Sequence, residues 1–355
     1  MQTNNNNNNN NKQGAIAKQC LGIDVSKGKL DACFSKMGID QSTKVQGARE
    51  FSNTPGGWKA LADWAKRFRK DAAVPFAVVM EATGVYHEGL AYYLKGAAFP
   101  VSVVLPNKSK NFAKSLNVKT KNDRADAQVL ARMGLERRLD LWAGASGTLL
   151  KLKRLTRERN ALMVQKTVAA NQLHAHTFEH EVDKKTLKRS QQLIAYLQKQ
   201  VLAIEKQVLE VLGKDKELKA KVENVCTIKG VQTLTAVCVI AEANGFELIE
   251  NKNQLVSYSG LDAVERQSGS SLNGKTRISK KGNSHIRRAL FFPALSASRF
   301  DPKMKALYDR VGEKNPKTPM IGAVAVQRKL LVLIYTLYKT NKPYDPEFEE
   351  KRAAA

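Results

Sequence analysis

Four acidic residues stand in or beside stretches that otherwise predict buried secondary structure. Asp24 interrupts the apolar run LGIDV, and Glu81 follows the apolar run AVVM. A lone carboxylate in a buried strand is costly unless it is paired or holds a metal ion. Asp123 and Asp126 are three residues apart on a predicted helix, so both project from one face. These positions suggest carboxylates that act together.

Carboxylates that converge on one point repel each other strongly, and divalent cations relieve that repulsion. An all-oxygen set of ligands suits Mg²⁺, with Mn²⁺ as a second candidate, rather than Zn²⁺. Taken singly, each of the four acids is equally well a surface residue or a helix cap; Asp31 and Asp40 are expected to be surface acids. Taken together in a basic protein, the four predict metal-assisted phosphoryl transfer.

The charge of the chain points to a polyanionic partner. Its 59 Lys and Arg residues outnumber 33 Asp and Glu residues, which gives a formal net charge of +26. No apolar stretch approaches the roughly 20 residues of a membrane span, and no signal peptide precedes the first strand, so no membrane is expected. Nucleic acid is therefore the expected partner. Four widely spaced cysteines without a C-x-x-C pattern are typical of buried thiols in a reducing cytoplasm.

The acids at 24, 81, 123 and 126 fall in a predicted α/β domain with a mixed sheet, over residues 20–146. Residues 1–19, with their tract of eight Asn, predict a disordered tail. The polar turn Ser26-Lys27-Gly28 predicts a hairpin of the first two strands. The predicted strands are CLGIDV, KLDACF, AREFSN, PFAVVMEATG and FPVSVVLP; the predicted helices are PGGWKALADWAKRF, HEGLAYYLKGAA and NDRADAQVLARMGLE.

Residues 147–220 predict two long helices, and residues 221–340 a mainly helical second domain followed by a tail at 341–355. The second long helix carries a heptad seam made of Ile194, Leu197, Val201, Ile204, Val208 and Val211. This pattern is typical of an antiparallel hairpin and equally of a coiled coil between two subunits. Gly230 lies between two helical patterns, as in helix-hairpin-helix elements that hold a DNA phosphate, or in an ordinary helical turn.

Several segments resemble, in the same order, the DEDD transposases of bacterial insertion sequences, which include Piv-like DNA invertases and recombinases guided by a bridge RNA. The segments are GIDVSKGKLD, VVMEATGVYHEGLAYYL, VLPNKSKNFAKSLNVKTKNDRADAQVLA and LVSYSGLDAVERQSGSS. The resemblance extends from Cys20 to about Tyr338. It implies an RNase H-like catalytic domain of the Holliday-junction-resolvase type, a coiled-coil dimerisation segment and a C-terminal transposase domain. The family's four acids match Asp24, Glu81, Asp123 and Asp126.

The resemblance also implies a serine nucleophile in the C-terminal domain. Ser268, in the pair Ser268-Gly269, is similar in context to the family serine that attacks a DNA phosphate and forms a covalent link. Ser270 and Ser271 lie close by, so the choice among the three serines stays open. On its residues alone, SGSSLNG predicts only a flexible loop. The serine is distant from the acids in sequence, so the two domains would have to meet within one subunit or between two.

Basic residues crowd the segment after the serine, where they are candidates to neutralise DNA phosphates. They are Arg277, Lys280, Lys281, Arg287 and Arg288, with Lys27, Lys119 and Lys121 as weaker candidates. Each neutralised phosphate contributes roughly one unit to the dependence of affinity on salt.

The sequence therefore predicts a transposase or site-specific recombinase of an insertion element, Mg²⁺-dependent and acting by a covalent serine intermediate. Its predicted partners are donor and target duplex DNA, a guide RNA, and further copies of itself in a homodimer or homotetramer, in the cytoplasm at the nucleoid. One alternative is a metal-dependent junction resolvase or nuclease without a covalent intermediate. A sugar-kinase or actin-like ATPase, which GIDVSKGKLD also resembles, is disfavoured because a second glycine-rich phosphate loop is missing. A non-catalytic nucleic-acid scaffold is the last alternative.

Overall fold

The structure is a computed structural model that describes residues 15–69, 71–83, 85–117, 122–144, 146–247, 249–268 and 272–348. It divides into two compact units, the first ending at Gly144 and the second formed by the rest of the chain. The first unit is mixed α/β and the second is mainly helical. Both classes are those predicted from the sequence.

A five-stranded mixed sheet forms the first unit. Its strands are β1 (Ile16–Val25), β2 (Lys29–Gly38), β3 (Thr43–Ser52), β4 (Phe76–Glu81) and β5 (Val101–Val104). The spatial order is β3-β2-β1-β4-β5. The first three strands form antiparallel pairs, and β4 and β5 run parallel to β1. The carboxyl ends of β1 and β4 therefore lie side by side.

Four helices cover the two faces of this sheet. They are α1 (Pro55–Phe68), α2 (Glu88–Gly96), α3 (Pro106–Ser115) and α4 (Asp123–Glu136). Leu21 and Ile23 of β1 pack with the buried side chains of α1 and α2, whereas Cys20 packs with α4. Because side chains alternate along a strand, Gly22 and Asp24 share the α4 face with Cys20. Helix α3 was not predicted from the sequence.

The second unit begins with a helical hairpin. Helices α5 (Gly147–Thr177) and α6 (Lys184–Gly213) run antiparallel: Arg159 pairs with Glu205, and further out Lys166 pairs with Gln198. Of the two predicted arrangements, a hairpin within one chain is therefore present. Four members of the predicted seam are buried, namely Leu197, Val201, Ile204 and Val208.

The rest of the second unit packs around the base of this hairpin. Its elements are α7 (Lys216–Cys226), α8 (Thr233–Glu242), α9 (Lys252–Ser259), β6 (Ala263–Ser268), β7 (Leu272–Ile278), α10 (Ser284–Phe300), α11 (Pro302–Glu313) and α12 (Met320–Thr340). Leu152 of α5 and Val208 of α6 belong to the same hydrophobic core as these helices. The antiparallel pair β6–β7 occupies a segment for which no regular structure was predicted.

Two features of this unit modify the sequence-based expectations. Helix α12 is 21 residues long and apolar enough to span a membrane by length and composition, so the expectation that no such stretch exists is wrong. Its Val326, Leu330 and Ile334 are fully buried in the protein core. Gly230 has a φ of +90°, and a Cβ there would lie 2.9 Å from the carbonyl oxygen of Pro293. Close packing against α10 thus accounts for this glycine.

Candidate active site

The four predicted acids lie together at one end of the sheet in the first unit. Asp24 lies near the end of β1, and Glu81 ends β4, the parallel neighbour of β1. Asp123 and Asp126 lie in the first turn of α4. Burial raises the pKa of Asp24 from 3.8 to about 6, and the charges of the other three acids add to the rise. We call Asp24, Glu81, Asp123 and Asp126 the acid set.

Gly22 allows α4 to lie directly on β1. A Cβ at this position would lie 2.2 Å from both the carbonyl oxygen of Ala127 and the amide nitrogen of Ala131. Those are backbone atoms of α4, so any side chain at position 22 would push the helix away from the strand. Asp24 lies two residues after Gly22 on the same face of β1. The absence of a side chain at Gly22 therefore allows the first turn of α4 to lie close to Asp24.

The acids of α4 do not serve as its N-cap. Asn122 has the extended N-cap conformation, and its side-chain oxygen accepts a hydrogen bond from the amide of Ala125 at 2.7 Å. Asp123 and Asp126 follow within the first turn, where the helix dipole stabilises negative charge. Asn122 is thus the N-cap of α4, a role for which Asp123 and Asp126 were also candidates. Both carboxylates remain available for other partners.

Lys29 contributes a cation to this group of acids. Its Nζ lies 2.7 Å from Oδ2 of Asp123, 3.3 Å from Oδ2 of Asp31 and 3.5 Å from Oε2 of Glu50. The hydrogen bond to Asp123 is the largest of the effects that raise the pKa of Lys29, followed by the one to Asp31. Lys29 is the first residue of β2 and was not singled out in the sequence.

Asp31 is not the free surface acid that the sequence suggested. It lies directly opposite Asp24 in the β1–β2 pair, and Glu50 lies opposite Asp31 in the β2–β3 pair. The side chain of Asp31 is only 16% exposed. The register of a hairpin closed at Ser26-Lys27-Gly28 would have identified this position. Asp40 meets its prediction, since it is exposed and bonds to Ser42 in its own turn.

A serine supports the second strand acid. The Oγ of Ser109 donates a 2.6 Å hydrogen bond to Oε2 of Glu81. Ser109 is buried on α3, the helix that follows β5. This hydroxyl therefore helps to orient the side chain of Glu81.

The acid set offers oxygen donors of the type that Mg²⁺ and Mn²⁺ prefer. Among the residues that the structure describes, no three His, Cys, Asp or Glu side chains are arranged to hold a metal ion. Asp123 is paired with Lys29, and Glu81 with Ser109. The set fits a divalent cation in donor type, and the two oxygens now bonded to Lys29 and Ser109 would have to leave these partners to coordinate it fully.

The basic candidates of the first unit are placed only in part. Lys27 is exposed in the turn between β1 and β2, on the same hairpin as Lys29. Lys119 and Lys121 lie outside the described residues. The prediction that these lysines contact nucleic acid therefore stays a prediction.

The candidate nucleophile lies in the second unit, at the end of a strand. Ser268 is the last residue of β6, and its backbone pairs with Leu272. Ser270 and Ser271 lie outside the described residues. The backbone of Ser268 is thus part of a β-hairpin rather than of an extended loop.

The basic residues at the end of this hairpin and directly after it divide into two groups. Arg277, Lys280, Lys281 and Arg288 are exposed. Arg287 instead donates hydrogen bonds to the carbonyl oxygens of Ser259, at 2.7 Å, and Gly282, at 3.3 Å. Arg287 therefore ties the end of α9 to the start of α10, in addition to any contact with DNA.

A buried ion pair under this segment was missed in the sequence. Glu242 ends the apolar helix α8 with a fully buried side chain, and Arg157 of α5 donates to both of its oxygens, at 2.6 and 2.9 Å. Asn283 adds a third hydrogen bond at 2.7 Å. Burial alone would raise the pKa of Glu242, but these hydrogen bonds lower it. In the sequence, the position of Glu242 directly after the apolar run TAVCVIA was the feature that could have indicated a buried acid.

Comparison with known proteins shows that the chain is similar to transposases. A family model described as "Transposase" matches residues 21–179, and one described as "Transposase IS116/IS110/IS902 family" matches residues 222–309. The pilin gene-inverting protein of Moraxella bovis is 27% identical over 94% of this chain and 100% of its own length. The transposase for insertion sequence element IS1111A of Coxiella burnetii is 26% identical over 91% of this chain and 90% of its own length.

One solved structure to which the chain is similar is that of RuvC from Thermus thermophilus in complex with a Holliday junction substrate. It is 15% identical, covers 32% of this chain and 90% of its own length, and has a TM-score of 0.25.

The chain, an α/β unit followed by a helical unit, is that of a transposase, an enzyme that recombines DNA. Within this class, the chain belongs to the IS110 family of DEDD transposases.

Proposed function

We propose that this transposase cuts and rejoins DNA phosphodiesters through a covalent intermediate at Ser268, with Mg²⁺ held by the acid set beside the reacting phosphate. The observation that carries the proposal is the convergence of Asp24, Glu81, Asp123 and Asp126 at one end of a sheet. The first unit would then be the RNase H-like, resolvase-type catalytic domain. When bound, Mg²⁺ would neutralise the carboxylates and the charge that develops on the phosphate.

The proposed reaction is a pair of transesterifications. Oγ of Ser268 forms a bond to phosphorus, and the bond from phosphorus to one deoxyribose oxygen breaks. The serine loses its proton and the released deoxyribose oxygen gains one. In the second step the hydroxyl of another DNA end attacks the phosphoserine, restores the phosphodiester and releases the serine. Two such exchanges conserve the number of phosphodiester bonds and need no external energy source.

We further propose that donor and target duplexes and a guide RNA share the basic surface. The net charge of +26 supports this, because several nucleic-acid strands must be neutralised together. The relatives support rejoining in addition to cutting, since one is named for inverting a gene and another as a transposase. We place the enzyme in the cytoplasm, with its substrate at the nucleoid.

A homodimer or homotetramer built through the helical hairpin completes the proposal. Val168 of α5 and Tyr196 of α6 are exposed, as are Leu202 and Leu209 one heptad apart. Apolar side chains on this outer face favour self-association. The double substitution Leu202→Glu and Leu209→Glu is expected to lower the molar mass measured by light scattering. An unchanged mass would place the subunit contact elsewhere.

The covalent step is tested with the full chain, element-end DNA, target DNA, RNA transcribed from the flank of the element, and Mg²⁺. A denaturing gel is expected to show a protein–DNA adduct that is absent from Ser268→Ala and from Asp24→Asn. Asp40→Asn is the matched control, because Asp40 is an exposed acid outside the acid set, and it is expected to retain the adduct.

The other outcomes identify the alternatives. An adduct that persists in Ser268→Ala but disappears in Ser270→Ala or Ser271→Ala would transfer the nucleophile to that serine. Cleaved DNA without any adduct would mean that water is the nucleophile, as in a junction resolvase. Cleavage that persists in Asp24→Asn would remove the acid set from the chemistry.

A further inference from the structure

Lys29 has an unusual position for a lysine on a sheet surface. Its ammonium contacts three carboxylates from three different elements: Asp31 of its own strand, Glu50 of β3 and Asp123 of α4. The shortest of these contacts, 2.7 Å, is to a member of the acid set. A lysine that is only a solvated surface residue would not be expected to form ion pairs with carboxylates from separate elements.

The sheet explains why a cation is needed here. Asp24, Asp31 and Glu50 occupy opposite positions on β1, β2 and β3, so they form a row of carboxylates on one face. Like charges directly opposite each other destabilise a sheet. Lys29 stands two residues before Asp31 on the same face, and the first turn of α4 adds two further acids. Lys29 thus supplies positive charge where five acids of the first unit approach one another.

The same contact places Lys29 in competition with a metal ion. The Oδ2 atom of Asp123 cannot form both its hydrogen bond to the ammonium of Lys29 and a full coordinate bond to a divalent cation. We propose that Lys29 is a tethered counter-cation of the acid set, which holds Asp123 and must leave it before a divalent cation binds there. This inference rests on the proposed metal-dependent function. Once displaced, the ammonium is free to meet a DNA phosphate.

The direction of the effect follows from the charges. Removal of the ammonium leaves the acid set more negative and leaves Asp123 without a competing partner, so a divalent cation should bind more tightly. A unit charge about 4 Å from a doubly charged ion in a water-exposed site changes affinity by about thirtyfold. If Lys29 instead only kept Asp123 in place for the metal, its removal would weaken binding.

The test is a titration of the full chain with Mn²⁺ in the absence of DNA, with free Mn²⁺ measured by electron paramagnetic resonance. Lys29→Met is expected to bind Mn²⁺ about thirtyfold more tightly than the unmodified protein. Lys29→Arg, which keeps the charge, should bind as the unmodified protein does. The matched control is Lys44→Met, because Lys44 is an exposed lysine far along the same sheet, opposite Lys36, and should have no effect.

Asp24→Asn separates the two possible failures. If it abolishes Mn²⁺ binding and Lys29→Met leaves the affinity unchanged or weaker, the role of Lys29 is wrong while the metal site stands. If neither the unmodified protein nor Lys29→Met binds Mn²⁺, or if Asp24→Asn binds it normally, the proposed metal-dependent function fails together with this inference. Circular dichroism of each variant establishes that the fold is retained.

Discussion

Asp24 and Asp31 face each other across the antiparallel pair of β1 and β2, so two carboxylates lie opposite one another on the face covered by α4. Such a pair is unfavourable for the sheet alone. Glu81, Asp123 and Lys29 converge at the same place. An unfavourable pair of this kind is expected at a site for a charged ligand, where a protein gives up some stability for function.

The pH dependence of stability should report on Asp24. Its pKa is raised from 3.8 to about 6 in the folded protein, so the folded state binds this proton more tightly than the unfolded state. The tighter binding of this proton therefore stabilises the folded state fully below about pH 4, and this stabilisation is lost as the pH rises through about 6. We expect a loss of about 1 to 2 kcal/mol, after allowance for solvent screening.

Urea unfolding of the full chain and of Asp24→Asn, in EDTA between pH 4 and 7, measures this loss. The difference in unfolding free energy between the two proteins should move in favour of the variant as the pH rises, because asparagine does not titrate. A difference that stays constant over this range would contradict the raised pKa.

Replacement of Gly22 by alanine should separate α4 from β1. The added methyl group would meet backbone atoms of Ala127 and Ala131 at 2.2 Å, which rotation of a side chain cannot relieve. We expect a loss of about 3 kcal/mol in unfolding free energy, with loss of DNA cleavage because Asp123 moves away from Asp24. Gly28→Ala is the control, since a Cβ there meets nothing within 4 Å; its stability should change by less than about 0.5 kcal/mol.

The pair of Arg157 and Glu242 should be a major source of stability in the second unit. Arg157→Ala leaves a fully buried carboxylate without its main partner, and a loss of about 3 kcal/mol or more is expected on chemical denaturation. Arg159→Ala, two residues along α5, removes a pair with Glu205 that water still reaches and should cost about 1 kcal/mol or less. Equal effects of the two substitutions would argue against the buried pair.

The basic residues after β7 should differ in their contributions to DNA binding. Lys281→Ala and Arg288→Ala each remove an exposed charge and should reduce the dependence of log Kd on log salt by about one unit, without loss of stability. Arg287→Ala removes two hydrogen bonds to backbone carbonyl groups and should lower the unfolding free energy by about 1 to 3 kcal/mol. Binding measured over a range of salt concentrations distinguishes the two groups.

Much of the first unit was predictable because its elements carry strong local patterns. Alternating and continuous apolar runs predicted β1, β2, β4 and β5, and Thr54 with Pro55 marks the start of α1. The acid set followed from acids that interrupt those patterns. Helix α3 was missed because PNKSKNFAKS is largely polar, so only its contact with α4 reveals a buried face.

The parts that could not be predicted depend on contacts between distant residues. AVERQS and LNGKTRI lack an apolar alternation, and their strand structure comes from pairing with each other. Glu242 finds its partner 85 residues away in Arg157. Lys29 is one of many lysines in the sequence, and only the register of three strands and the position of α4 single it out.

The side-by-side endings of β1 and β4 have a consequence for how this enzyme can change in length. Adjacent strands are held about 4.8 Å apart by their hydrogen bonds, so the sheet sets the separation of Asp24 and Glu81 whatever lies between them in the chain. Insertions between α1 and β4 would leave both acids in place. A single residue added to or deleted from β1 would turn Asp24 to the apolar face that packs on α1 and α2. Length variation compatible with activity is thus expected in the connections rather than in the parts of β1 and β4 next to the two acids.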